Sequence, residues 1–150
     1  MLVYSDLETY SECPISRGAY RYAEDPSTEV LLWGYAVDDR PARVWDVTAG
    51  PMPDDLRAAL KEVLARQASI VWHNGMNFDT NVLALNKNGV MVAIPRSQII
   101  DTMVIAYQHG LPGALGDLCE VYRMPKDVAK DKDGRRLVQL FCKPHAYGHD

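Results

Sequence analysis

The hydrophobic pattern changes period along the chain. Up to residue 47 it has the marks of strands; from residue 54 helical spacing appears, and the two then alternate. Residues 2–7, LVYSDL, predict a first strand. Residues 12–28 are polar and carry Pro14, Gly18 and Pro26, which predicts a long connection. EVLLWGYAV, residues 29–37, is a nearly continuous apolar and aromatic run, as expected of a central strand covered on both faces. DDRPA supplies a turn and residues 43–47 a short third strand, so hairpin-like connections predict three antiparallel strands.

After Pro51 and Pro53, DDLRAALKEVLARQA places Leu56, Leu60, Val63 and Leu64 at helical spacing, with Asp54 and Asp55 in the first turn. This predicts an amphipathic helix whose apolar stripe is core. SIVWHN, residues 69–74, predicts a fourth strand, and FDTNVLALNKN, residues 78–88, a helix closed by Gly89. SQIID, residues 97–101, predicts a fifth strand, and residues 102–109, 114–122 and 135–142 three further helices. The order predicts an α/β domain: a mixed sheet, three antiparallel strands followed by parallel ones, flanked by helices.

Composition narrows the class. The chain has 150 residues, 47% hydrophobic and 24% charged, which fits a single soluble globular domain. No long apolar run predicts a membrane span, and no basic segment precedes an apolar one as in a secretory signal. Cys13, Cys119 and Cys142 are scattered without CxxC spacing, which suits a reducing cytosol and small buried side chains. A net charge of −4 argues against a passive nucleic-acid binder but not against an acidic metal site that acts on nucleic acid.

The acids carry the candidate chemistry. Asp6 and Glu8 lie two apart in the first strand, so both point from one face, where like charges repel. A lone Asp-x-Glu also suits a solvated strand end. Asp79 falls in the first turn of a predicted helix, where the dipole favours an acid, yet Val82 and Leu83 at i+3 and i+4 put it on the inward face. Asp101 ends the fifth strand and reads as the N-cap of the next helix. Carboxylates without histidine or cysteine ligands suit hard divalent cations; Mg²⁺ takes oxygen ligands at about 2.0–2.1 Å. Two such ions about 3.5–4 Å apart can clamp the attacking and leaving oxygens of a phosphoryl displacement.

DLE near the N-terminus, followed about seventy residues later by N-x-x-x-F-D, resembles the first two motifs of the DEDD 3′→5′ exonucleases. GAYRYAEDPSTEVLLWGYAVDD, WHNGMNFD, IIDTMVIAYQHGLPGALGDL and KDKDGRRLVQLFCKP are similar to the exonuclease domain of phage-type family A DNA polymerases, over nearly the whole chain. The resemblance implies a ribonuclease H-like fold, two divalent cations (Mg²⁺ or Mn²⁺) and hydrolysis of DNA from its 3′ end, with nucleoside monophosphates released. It implies Asp6, Glu8 and Asp79 as catalytic metal ligands, and Asn74 and Thr9 as residues that hold the terminal nucleotide. Leu7 and Phe78 flank the acids and are candidates to pack on that nucleotide, although such positions also suit core. The implied partners are a single-stranded DNA 3′ end and a DNA polymerase domain or subunit; no membrane is implied.

The family's third motif, Tyr-x-x-x-Asp or His-x-x-x-x-Asp on a late helix, has no firm counterpart. His145 and Asp150 have the second spacing, but Pro144 and Gly148 disfavour a helix there and Asp150 is the last residue. The expectation is a truncated proofreading domain, weakly active by itself. Residues 126–143 hold six Lys or Arg against three Asp, a local +3 that leaves −7 on the remainder. Such a run is by default a solvated face; Arg136, Gln139 and Lys143 share one helical side, so Arg136 and Lys143 are alternatively contacts to a DNA backbone. His73 reads as satisfied by a backbone group, and Trp33, Trp45 and Trp72 as core. Two other readings stay open: an exonuclease of RNA or short oligonucleotides, and a binding module that holds DNA or a polymerase without cutting.

Overall fold

The computed structural model describes residues 1–85, 90, 92–125 and 142. Five strands, β1 (Leu2–Tyr10), β2 (Glu29–Val37), β3 (Arg43–Asp46), β4 (Ser69–Trp72) and β5 (Ile99–Asp101), form one sheet in the order β3-β2-β1-β4-β5. β1 runs antiparallel to β2, and β2 to β3, while β4 is parallel to both β1 and β5. The helices are α1 (Ala19–Glu24), α2 (Asp54–Leu64), α3 (Asp79–Leu85), α4 (Thr102–Gln108) and α5 (Leu115–Val121). A five-stranded mixed sheet flanked by helices is the arrangement expected of a ribonuclease H-like fold. Among the described residues no helix is long and apolar enough to cross a membrane.

The side chains of β1 divide by parity. Val3, Leu7 and Thr9 are buried, whereas Tyr4 and Asp6 are exposed and Glu8 half-buried. The strand is therefore covered on one face, and Asp6 and Glu8 project from the other. β2 is likewise covered fully on one face only: Trp33, Tyr35 and Val37 are buried, while Leu32 is 38% exposed. Glu8 pairs with Leu32 but Thr9 with Val30, so Leu31 is the extra residue of a bulge. The bulge keeps Val30 on the core face although it lies three residues from Trp33. A continuous apolar run conceals such a break, which is why the sequence suggests two covered faces.

α2 lays Leu56, Ala59, Leu60 and Val63 on the core, while Leu64 is 45% exposed. The helix ends at Leu64, short of the predicted residue 68. Asp55 in its first turn accepts from the Tyr35 hydroxyl at 3.0 Å and pairs with Arg43, which fixes α2 to the edge of the sheet. The predicted long connection contains α1, whose Tyr22 and Ala23 are buried. Gly18, read as a turn residue, instead adopts φ 98 as the N-cap of α1. Trp33, Trp45 and Trp72 are all core, as expected. The predicted helix over residues 135–142 and the closure at Gly89 lie outside the described residues.

The position of the site follows from register. β4 pairs with β1 only from Leu2 to Tyr4, opposite Ser69 to Val71. Beyond Tyr4 no strand among the described residues pairs with the β4-facing edge of β1, although β2 still pairs along the other edge. This stretch of β1 lies beyond the carboxyl end of β4, the end of the parallel strands at which open α/β sheets place ligands. Replacing the fully buried Leu56 by Ala should cost about 2–5 kcal/mol. Leu64→Ala should change stability by less than about 0.5 kcal/mol. Urea denaturation of the two variants checks the orientation of α2.

Candidate carboxylate centre

Asp79 opens α3 and is 4% exposed, with Val82 and Leu83 fully buried one turn later. The inward face predicted for this acid is the face it occupies. Its carboxylate reaches the open edge of β1 and accepts a hydrogen bond from the Leu7 amide. Burial and the adjoining charge of Asp6 raise its pKa from 3.8 to about 7, and Asp101 adds to the rise. The hydrogen bonds from Leu7 and from its own amide oppose the shift without cancelling it. A carboxylate held dry beside a second carboxylate is electrostatically uncomfortable unless a proton or a cation joins it.

Asp6 and Asp79 therefore come together. Glu8 projects from the same side of β1 as Asp6 and stands within electrostatic reach of Tyr22 and Cys142. Burial and the Glu8 charge both push the Cys142 thiol up. Among the described residues no three Asp, Glu, His or Cys side chains stand together as a set able to hold one ion. The Asp6–Asp79 pair nevertheless fits a hard cation: its donors are all oxygen, and such ions fill remaining positions with water. The charge that the buried Asp79 would carry beside the exposed Asp6 is what a cation would offset.

The other predicted site residues divide into two groups. Leu7 is 6% exposed and belongs to the core, and Thr9 is buried with its hydroxyl 2.8 Å from the Tyr22 hydroxyl. Phe78 is half-buried and packs against Tyr22, ring centroids 5.4 Å apart. Asn74 lies in the turn between β4 and α3 with φ 67, a conformation that asparagine tolerates better than most residues. Its Oδ1 is buried and meets no hydrogen-bond donor among the described residues. Gly75 follows, so close to the Trp72 side chain that a Cβ there would overlap it. Arg136, Lys143, His145 and Asp150 lie outside the described residues.

Of the neighbouring polar groups, His73 and Asp101 are satisfied within the fold, whereas the buried Trp72 Nε1 meets no acceptor among the described residues. His73 Nε2 lies 2.8 Å from the Gly113 carbonyl and Nδ1 2.9 Å from the Thr102 hydroxyl, matching the expectation of a backbone-satisfied histidine. Asp101 caps α4 through the Met103 and Val104 amides, as expected. Sequence reasoning missed Tyr22, which joins α1, Thr9 and Phe78. Its helical spacing is hidden in a six-residue element between a glycine and a proline. Burial raises the pKa of this phenol above its usual value.

No family model matches the chain. It is similar to the DNA polymerase of Bacillus phage SP02, 32% identical over 143 residues that make up 93% of this chain and 21% of that protein. The chain thus spans about a fifth of the length of the curated relative it matches.

A raised carboxyl pKa has a definite consequence for stability. Asp79 holds its proton more tightly in the fold than in the unfolded chain, so its stabilising contribution is complete below about pH 4 and lost as the pH rises through about 7. In chelator-treated protein, unfolding free energy should fall by about 2–3 kcal/mol between pH 5 and pH 8 from this group alone. Asp79→Asn should flatten that fall. Urea melts of both proteins at the two pH values measure it; equal slopes would leave Asp79 without the assigned role.

Proposed function

We propose that this chain is the 3′→5′ exonuclease region of a phage-type DNA polymerase, hydrolysing single-stranded or frayed DNA ends and releasing nucleoside monophosphates. The observation that carries the reading is the buried Asp79 carboxylate, held against Asp6 at the open edge of β1 and pushed up to about 7. The relationship to a phage DNA polymerase supports the same reading, because such a chain works on DNA.

Asp6 and Asp79 would hold the divalent cations, Mg²⁺ or Mn²⁺, with Glu8 as the third donor from the same strand face. When bound, these ions supply the charge that activates water and stabilises the leaving 3′ oxygen. The chain's own groups position the rest. The unmatched Asn74 Oδ1, held rigid by its turn, offers an acceptor to a donor group of the terminal nucleotide. Phe78, braced by Tyr22, offers ring surface beside it. Thr9 acts from behind, through the hydroxyl pair that anchors Tyr22. A DNA polymerase domain would be the source of the frayed 3′ end.

Incubating the chain with 3′-labelled single-stranded DNA and Mn²⁺ tests this. Mononucleotides should appear, and Asp6→Asn or Asp79→Asn should slow their release by about 100-fold or more, beyond the cost of disturbing an outer shell. Blunt duplex should be cut more slowly than single strand, because unpairing an end costs a few kcal/mol. Matched RNA should be the poorer substrate. Mononucleotide release unchanged in both variants would overturn the assignment.

A further inference from the structure

Four backbone amides converge on one side chain beside the Asp6–Asp79 pair. Asp101, 4% exposed, accepts through Oδ1 from Asn74 at 3.0 Å, Met103 at 3.0 Å and Val104 at 3.4 Å, and through Oδ2 from Met76 at 2.9 Å. The Met103 and Val104 amides belong to the first turn of α4, and their bonds are those of an ordinary N-cap. The Asn74 and Met76 amides belong to the turn after β4, 27 and 25 residues away, and no cap requires them. That turn holds Asn74 in the left-handed region, which persists when the surroundings over-determine it. It runs without interruption into α3: Phe78 donates to the Asn74 carbonyl at 3.1 Å and Thr80 to the Gly75 carbonyl at 3.0 Å. The next link is Asp79 itself, bonded to the Leu7 amide.

We propose that Asp101 is a positioning residue of the carboxylate centre. By holding the Asn74 and Met76 amides it fixes the start of α3, and so the point at which Asp79 meets β1 beside Asp6. Asp101 thus works at one remove, through the turn, while it caps α4 as a separate task. The metal-binding part of this assignment rests on the exonuclease reading; the geometric part does not.

Residue-resolved amide hydrogen exchange on the chelator-treated chain separates the two. Asp101→Asn keeps an acceptor for Asn74, Met103 and Val104 but turns an NH₂ group toward the Met76 amide. Asp101→Ser keeps a capping hydroxyl for α4 and leaves the Asn74 and Met76 amides unheld. Leu60→Ala, in the core contact of α2, serves as a control for destabilisation alone. Exchange at the Leu7 amide, relative to Ile70 of β4 in the same protein, should accelerate about tenfold in Asp101→Asn and further in Asp101→Ser. It should stay level in Leu60→Ala. The rise in Tm that Mn²⁺ gives wild type should be lost in both Asp101 variants and kept in the control. An unchanged Leu7-to-Ile70 ratio in Asp101→Asn overturns the proposal, and that variant decides the matter if Asp101→Ser fails to fold. A raised ratio in a protein whose wild type shows no Mn²⁺ response would sustain the positioning role and refute the exonuclease reading.

Discussion

The bond from the Leu7 amide to the Asp79 carboxylate joins the two halves of the fold at its most highly charged point. On one side is a strand that keeps pairing with β2 after β4 has left it. On the other is a short helix whose remaining inward residues, Val82 and Leu83, are wholly buried. Burial of those two side chains brings α3 down onto the sheet, and the acid at its first position is carried in with them. The apolar contact thus imposes a desolvated carboxylate beside Asp6. Removing the acid should relieve that repulsion.

The rest of the neighbourhood serves to hold that acid still. Tyr22 on α1 packs on Phe78, the residue before Asp79, and ties Thr9 of β1 to the same cluster. Asp101 and His73 anchor the turn and the loop on the opposite flank through the Met76 amide and the Gly113 carbonyl. A rigid surround is what a preorganised site requires, because a cation tolerates little change in the spacing of its oxygens.

Much of this was legible in the sequence, and for identifiable reasons. Parity placed Asp6 and Glu8 on one face, and the i+3 and i+4 positions of Val82 and Leu83 turned Asp79 inward. The period change near residue 54 separated antiparallel strands from the helix-linked parallel ones. What escaped was either short or long-range. α1 is too brief to show a period, and the bulge at Leu31 vanishes in an apolar run. Leu64 matched the stripe of α2 by spacing but falls at the end of the helix, where the sheet no longer covers it. The second pair of amides on Asp101 lies 25 and 27 residues upstream, and only tertiary structure brings it there.

The central claim is that Asp79 is kept in a strained electrostatic position for a cation. Carboxyl ¹³C titration of Asp79, followed by NMR with and without Mg²⁺, tests it most directly. Without the ion the resonance should titrate near 7; with saturating Mg²⁺ the midpoint should fall below the ordinary carboxylate range, because the cation favours the ionised form. A midpoint near 7 that saturating Mg²⁺ does not move would contradict the account and leave Asp79 a buried acid that binds a proton and nothing else.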